Sequence, residues 1–213
     1  MPQALSEDRL AETREKIVRV AERQAVAQGL ENVSTHSIAR ELGWSATALY
    51  RYFPNKEAIL AAARARALNR LSEALEAAIA GPGDGWEISR AVGDAYVAFA
   101  FENPDAYRLI YALNQPDPDE YPEFSAALIR ARGNMTLYVE RMVAQGALDA
   151  DPYVLGHLFW AGLHGLITLE MTGKIRSETL DFTTLRHEMM RALVRGTRPR
   201  PVSYTHLTLP TKR

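Results

Sequence analysis

The sequence predicts an all-α protein, with three helices at its amino-terminal end, two of them short, and a larger helical bundle after them. Three observations support this fold class. Apolar residues recur at steps of three and four along most of the chain, which is the period of an amphipathic helix. Capping residues, glycines and prolines separate these periodic stretches. No strand pattern is found in the first 200 residues.

The composition is typical of a globular protein and excludes sites that need cysteine. The chain has 213 residues, of which 47% are hydrophobic and 24% charged, and this suits one domain or two small ones. The sequence contains no cysteine, which excludes disulfides, a thiolate nucleophile and cysteine-based metal sites. Its amino terminus does not resemble a signal peptide, so we expect a cytoplasmic protein.

The charge balance excludes one way of binding nucleic acid. A formal net charge of −1 is too low for a protein that coats DNA by bulk charge, so any such binding must come from a local basic surface. The segment 35–56 offers one, because Arg40, Arg51 and Lys56 stand there against Glu41 alone.

The segment 35–56 begins with a short helix. Ser34 or Thr35 can accept hydrogen bonds from its first free amides, and Ile38 and Leu42 lie four residues apart on one face. Gly43 follows the last periodic residue and tolerates the left-handed conformation that ends helices. We therefore predict a helix that stops at Gly43.

A second short helix follows at once. Ser45 can cap it, and Leu49 and Phe53 repeat four residues apart before Pro54 ends it. At about 100° per residue, Thr47 and Arg51 point away from the apolar pair, with Ala48 and Tyr50 at their flanks. Two helices joined by a tight turn form a helix-turn-helix, and this one presents a hydroxyl, a guanidinium and a phenol outward.

One helix is predicted before this motif. Ser6 begins it, with Glu7 and Asp8 at the positive end of the helix dipole, and Gly29 ends it. Its apolar stripe contains Leu10, Ile17, Val20, Ala21 and Ala25. We expect the three helices to share a small core, made of Ile17, Ala21, Val33, Ile38, Leu42, Leu49 and Phe53. A domain of this size is near the lower limit for independent folding, so we expect it to depend on the next helix.

A long connecting helix is predicted from Asn55, which can cap it, to the break at residues 81–85. Helical patterns follow at 86–103 and 104–113. The acidic, proline-rich stretch 114–122 is typical of a surface loop. Residues 124–145 form a seam with steps of four and three, which Gly146 closes.

Two helices are predicted near the carboxyl end. Asp151 and Pro152 open one that runs to Gly173 and is apolar almost all round. A membrane span is the alternative, but its apolar run is slightly short of the ~18 residues required and contains two histidines and three glycines. We therefore expect a helix buried inside a bundle and against a partner subunit. The last helix starts near Thr179, and residues 198–213 are expected to be a disordered or artefactual tail.

Two groups of residues resemble the TetR family of transcriptional repressors. The first is Ile38-Ala39, Leu42-Gly43-Trp44-Ser45 and the run from Ala48 to Leu60, ALYRYFPNKEAIL, which resembles the amino-terminal domain of that family. The second, Trp160-Ala161-Gly162-Leu163-His164-Gly165, resembles the tryptophan–histidine–glycine signature of one class of carboxy-terminal domain. Trp44 stands where the family more often has valine, and Ala46 and Thr47 stand where lysine or glycine is common.

The resemblance implies a helix-turn-helix DNA-binding domain at 1–55, a connecting helix at 56–80 and a ligand-binding and dimerisation domain at 81–197. It also implies a homodimer through the last two helices, a double-stranded DNA operator and a largely apolar small-molecule effector. We expect neither a cofactor nor a membrane partner.

The residues that approach bases are those at the amino-terminal end of a recognition helix. Arg51 can reach guanine bidentately, and Thr47 and Ala46 suit a thymine methyl. Trp44 either plugs the turn or reaches sugar and phosphate, and Tyr52 is either a half-buried core residue or a phosphate contact. The predicted DNA-binding residues are Thr35, Trp44, Ala46, Thr47, Tyr50, Arg51, Tyr52 and Lys56.

The resemblance places an effector pocket inside the helical bundle. Aromatic and methionine side chains at helical spacing are its candidate lining, although the same pattern is also typical of a core. His164 is either a packing residue or a ligand group. The candidates are Tyr96, Phe99, Tyr107, Tyr111, Tyr138, Met142, Trp160 and His164.

Two other classes of protein fit less well. His187-Glu188 begins like a helical zinc-protease motif, but Arg191 replaces the second histidine, and the sequence has no phosphate loop or nucleophile elbow. A helical structural or interaction module would leave the helix-turn-helix unexplained.

Overall fold

A computed structural model of the chain describes residues 6–175 and 180–197. These residues form nine α-helices and two 3₁₀ turns, and among them no strand occurs, so the predicted all-α class is confirmed. The helices are α1 Glu7–Gln28, α2 Thr35–Leu42, α3 Ala46–Leu49, α4 Lys56–Ile79, α5 Gly85–Glu102, α6 Pro104–Ile110, α7 Pro122–Ala144, α8 Pro152–Met171 and α9 Phe182–Arg195.

Several predicted helix starts are confirmed by their caps. The side chains of Ser6, Asn55 and Asp151 each accept a hydrogen bond from a backbone amide three residues on. At α2 the cap is Ser34 and not Thr35. The Ser37 amide donates to the Ser34 hydroxyl, the Ser34 amide donates to Ser37 Oγ, and each distance is 3.0 Å.

The helix-turn-helix itself differs from the prediction at α3. This helix ends at Leu49 instead of continuing to Phe53, and Tyr52 and Phe53 close a turn by donating to the Leu49 carbonyl. Ser45 occupies the cap position, but its side chain makes no capping hydrogen bond. Pro54 restricts only Phe53, so it accounts for the end of the turn but not for the end of the helix at Leu49.

The start of α9 also differs. The predicted position, Thr179, lies outside the described residues, as does the tail 198–213. The helix begins at Phe182, where the Thr184 amide donates to the Asp181 carboxylate at 2.7 Å. That hydrogen bond from the Thr184 amide lowers the pKa of Asp181.

The chain divides into two compact units, and the division falls within α7, between Tyr138 and Val139. In the first unit, α1, α2 and α3 surround a buried core, and six of the seven predicted core residues are buried. Leu42 is only half-buried, and Leu10 on α1 is 38% exposed. Both lie at ends of helices, where the partner helices no longer cover them.

Helix α4 completes that core. It contributes Ala58, Ile59, Leu60 and Ala63, and α6 adds Leu109. The three amino-terminal helices therefore do not enclose a core by themselves, as the small size of the segment predicts. Further along, α4 packs against α5, so it is the central helix of the first unit.

Ion pairs attach α4 to its neighbours on both sides. Arg66 donates to Glu15 of α1 at 2.7 Å and also pairs with Glu22. Arg130 of α7 binds Glu76 bidentately, at 2.7 and 2.6 Å. Hydrogen bonds from Arg130 and then Asn134 lower the pKa of Glu76 to about 2.

The second unit contains the end of α7 with α8 and α9. Leu155, Phe159, Leu163 and Ile167 form the buried face of α8. The Met189 side chain of α9 packs against Gly162, and it would have to shift to admit a Cβ there. Within the described ranges, no helix is long and apolar enough to cross a membrane.

We expect Gly43→Ala to destabilise the protein by about 1 kcal/mol through backbone strain alone. Gly43 has a φ of +72°, and no atom lies within 4 Å of an added Cβ. Gly133→Ala is the matched control, because that position also has open space but lies within α7. Urea unfolding should show the control unchanged or more stable by about 0.5–1 kcal/mol. Equal effects of the two substitutions would contradict the role of the left-handed turn.

Candidate nucleic-acid interface

A polar network fixes α2 against the end of α1. Ser37 donates to Gln24 Oε1 at 2.6 Å, and the Gln24 amide donates to Glu41 at 2.6 Å and to the Ser37 carbonyl at 3.1 Å. Arg23 donates to the other oxygen of Glu41 at 2.8 Å. Hydrogen bonds from Gln24 and then Arg23 lower the pKa of Glu41. The network keeps the negative charge of Glu41 paired with a positive charge of α1.

The turn between α2 and α3 is tightly bonded. The amides of Gly43 and Trp44 donate to the carbonyls of Arg40 and Ala39, at 3.1 and 2.8 Å. This pair of hydrogen bonds is the Schellman arrangement, which requires the left-handed residue that Gly43 supplies. The angle between the two helices is therefore set by backbone bonds.

Trp44 and Tyr52 close the other side of the motif. Their rings stack with centroids 5.9 Å apart and an interplanar angle of 28°, and both pack against the buried core. Each is half-buried. The half-buried position of Trp44 favours the alternative in which its ring fills the turn. The position of Tyr52 favours the alternative in which it is a half-buried core residue. Contact of either residue with DNA stays a prediction.

Arg14 of α1 holds the turn that follows α3. Its guanidinium donates to the Tyr52 carbonyl at 2.7 Å and lies 4.2 Å from the centroid of the Phe53 ring. The same guanidinium lies 3.6 Å from the Glu123 carboxylate at the start of α7. Helical spacing places Arg14 on the apolar stripe of α1, four residues after Leu10 and three before Ile17. The spacing therefore indicates that Arg14 faces the core, but it does not indicate which groups Arg14 contacts.

Three of the predicted DNA-binding residues are exposed on this support. Thr47 lies on α3, and Tyr50 and Arg51 lie in the turn after it, where Tyr50 is 53% exposed. Ala46 is half-buried at the start of α3. The outward direction predicted for Thr47 and Arg51 is thus observed, although Arg51 lies beyond the helix.

Thr35 and Lys56 are the remaining predicted contacts. Both are half-buried, and each is the first residue of a helix, α2 and α4 respectively. Free amides at helix starts favour anions such as phosphate. Arg40 and Arg51 are exposed, and Glu41, the acidic residue among them, is paired with Arg23. The surface between residues 35 and 56 is therefore locally basic.

The structure brings three of the predicted effector residues together. The Tyr96 hydroxyl of α5 lies 2.9 Å from that of Tyr111 and 3.2 Å from that of Tyr107. Burial raises the pKa of Tyr96 and Tyr107, which keeps both phenols neutral and able to donate. Phe99, also buried, lies one turn after Tyr96.

The other candidates lie on α7 and α8. Tyr138 and Met142 are buried one turn apart on α7. Trp160 and His164 are half-buried one turn apart on α8, and the His157 ring contacts Trp160 edge-on with centroids 5.8 Å apart. Burial lowers the pKa of His164. That all eight residues line one effector pocket stays a prediction.

We expect Arg14→Met to lower the free energy of unfolding by about 1–3 kcal/mol, because the Tyr52 carbonyl loses its donor in a partly buried position. Methionine keeps much of the contact with Phe53, so the loss reports on the hydrogen bond. Arg9→Met, on an exposed position of the same helix, should change stability by less than about 0.5 kcal/mol. Urea unfolding measures both variants, and equal stabilities would show that Arg14 does not hold the turn.

Comparison with known proteins agrees with this architecture. Residues 17–63 match the family model described as "Bacterial regulatory proteins, tetR family". Residues 89–193 match the model described as "Tetracyclin repressor-like, C-terminal domain". The first match contains the helix-turn-helix, and the second contains α6, α7 and α8 entirely.

Relatives and solved structures point the same way. The chain is 25% identical to the HTH-type transcriptional regulator Rv0681 of Mycobacterium tuberculosis, over 86% of this chain and 81% of the relative. It is 27% identical to a TetR/AcrR family regulator of Thermobifida fusca. The two structures align with a TM-score of 0.61 over 88% of this chain and 100% of the other. A Rhodococcus protein of unknown function shares the fold with a TM-score of 0.75, at 23% identity and over 93% and 100% of the two chains. The chain belongs to the TetR family, whose members are DNA-binding transcriptional regulators that act as dimers and are not enzymes.

Proposed function

We propose that the protein is a repressor that binds a roughly palindromic operator and leaves it when a largely apolar small molecule binds. The observation that carries this proposal is the exposure of Thr47, Tyr50 and Arg51 on a helix-turn-helix held by Arg14, Gln24 and the Gly43 turn. A recognition element must enter the major groove with a defined angle, and these contacts support such an angle.

Each candidate residue has a proposed role in that complex. Arg51 reads guanine bidentately, and Ala46 and Thr47 contact thymine methyl groups. Thr35 and Lys56 bind phosphates from the starts of α2 and α4, as do the two tyrosines of the turn, Tyr50 and Tyr52. Phosphate contacts set the register of the protein on DNA, whereas the base contacts specify sequence. Trp44 acts through packing of the turn and lies at the edge of this surface.

The second unit is the proposed dimer interface. Although α8 buries one face, apolar side chains on its other face remain exposed, namely those of Tyr153, Val154, Leu158 and Leu169. Helix α9 has an apolar stripe but no buried residue among its described side chains. Exposed apolar surface of this kind marks protein–protein contacts. A two-fold axis here gives two recognition heads about one turn of DNA apart, ~34 Å.

The effector is proposed to bind among the aromatic residues of the 81–197 domain. The buried hydroxyl cluster of Tyr96, Tyr107 and Tyr111 offers polar groups within apolar surroundings, as small-molecule sites require. A ligand shifts an equilibrium only through different affinities for its two states. Helix α4 is the proposed lever, because it shares its core with residues 1–55 and packs against α5 and α6.

We expect Arg51→Ala to abolish retardation of an operator selected from random DNA. The loss of a bidentate guanine contact should cost about 1–3 kcal/mol for each recognition head. The circular-dichroism melt should stay unchanged, because Arg51 is exposed. Arg132→Ala, at an exposed arginine of α7, is the matched control and should keep operator binding. Intact binding by Arg51→Ala would remove that residue from the interface.

We expect Leu158→Glu to convert the dimer into a monomer at micromolar concentration, because a buried unpaired charge in an interface is strongly unfavourable. Leu158 is 47% exposed on the proposed interface, and Leu113, which is 99% exposed in a loop, provides the control Leu113→Glu. Light scattering distinguishes the two states. A wild-type monomer, or a dimeric Leu158→Glu variant, would contradict the proposed interface.

A further inference from the structure

The central helix α4 contains a buried arginine that neither the core nor the ion pairs account for. Arg64 is 1% exposed. The residues one turn before and after it, Leu60, Ala61, Ala67 and Leu68, are buried and apolar. A guanidinium therefore lies among buried apolar residues of α4.

Among the described residues, Arg64 has one hydrogen-bond partner. Its Nη2 donates to the Asn114 carbonyl at 2.7 Å, whereas its Nε is buried and has no partner within the part of the chain that the structure describes. No carboxylate of the described residues lies within 4 Å of the guanidinium. Burial lowers the pKa of Arg64, which agrees with the lack of a nearby negative charge.

The other arginines of this region differ. Arg66 pairs with Glu15 and Glu22, and Arg130 pairs with Glu76. Burying a charge is strongly unfavourable unless an opposite charge and further hydrogen bonds compensate for it, and an apolar residue of similar volume is usually as stable or more stable. Stability alone therefore does not explain an arginine at position 64.

We infer that Arg64 binds the acidic group of an amphiphilic ligand, a carboxylate or a phosphate monoester on an apolar body. The planar edge formed by Nε and an Nη atom matches two anionic oxygens, and the buried alanines and leucines beside Arg64 make its surroundings apolar. Asn114, whose carbonyl accepts the hydrogen bond from Arg64, is exposed and follows Leu113, which is 99% exposed. The present partner of Arg64 therefore belongs to a surface segment. This inference rests on the proposed function, because the ligand would be the effector.

Binding can be measured without DNA. Full-length wild type is titrated with octanoate, dodecanoate, hexadecanoate, dodecyl phosphate and dodecan-1-ol, each below its micelle concentration, and followed by calorimetry and thermal shift. We expect an acid or the phosphate to raise the Tm, and the alcohol to bind about tenfold to a hundredfold more weakly. The carboxylate and phosphate arms identify which anionic group is preferred.

Arg64→Met is the test variant. Arg64→Lys serves as the variant that keeps the charge, and Arg90→Met serves as the control. Without ligand, Arg64→Met should melt at or above the wild-type temperature. It should bind the acid about tenfold to a hundredfold more weakly and no longer distinguish acid from alcohol. Arg64→Lys keeps the charge and should retain part of the preference. Arg90, exposed on α5, should be neutral.

Two results would overturn the inference. One is a wild type that binds none of the acids or the phosphate better than the alcohol. The other is an Arg64→Met variant that keeps wild-type affinity for the acid. If Arg64→Met fails to fold, the acid-to-alcohol ratio of wild type and of Arg64→Lys decides. An acid that binds through Arg64 without releasing the operator supports the inference and contradicts the proposed induction.

Discussion

The core that α4 shares with the three amino-terminal helices is the constraint on which the first unit depends. Ile17, Ile38 and Leu49 come from the three helices, while Ile59 and Ala63 come from α4, and all are buried in one cluster. Dense cores resist continuous deformation, so a displacement of α4 must move the helix-turn-helix or open the cluster. The helix-turn-helix is thus built onto a helix that also packs against α5 and α6.

Polar contacts then fix the orientation of the helices that the apolar core holds together. Arg14 binds the turn after α3 and Arg66 ties α4 to α1, so the recognition surface is attached to two long helices and not to a loop. Sites supported by rigid elements keep their geometry better than sites on loops. The exposed residues are few, and Arg40 and Arg51 provide only a modest positive charge. Affinity for DNA therefore requires two heads in one dimer.

Arginines in the first unit serve different physical roles. Arg14 stacks on Phe53 and donates to a backbone carbonyl, whereas Arg130 makes a bidentate pair with Glu76. Arg64 has neither an aromatic partner nor an acidic one described. Because an apolar residue in this position would be at least as stable, the inferred ligand contact accounts for the arginine.

The sequence alone was sufficient to predict the all-α class, the caps of α1, α4 and α8, and the exposure of Thr47 and Arg51. These features depend on capping, left-handed glycines and apolar periodicity, which act within a few residues. The sequence did not determine the end of α3 at Leu49, where a turn closed by Tyr52 and Phe53 replaced a predicted helix. Nor did it reveal the contacts of Arg14 or the burial of Arg64. Those depend on residues 38 and 50 positions away, which only tertiary packing brings together.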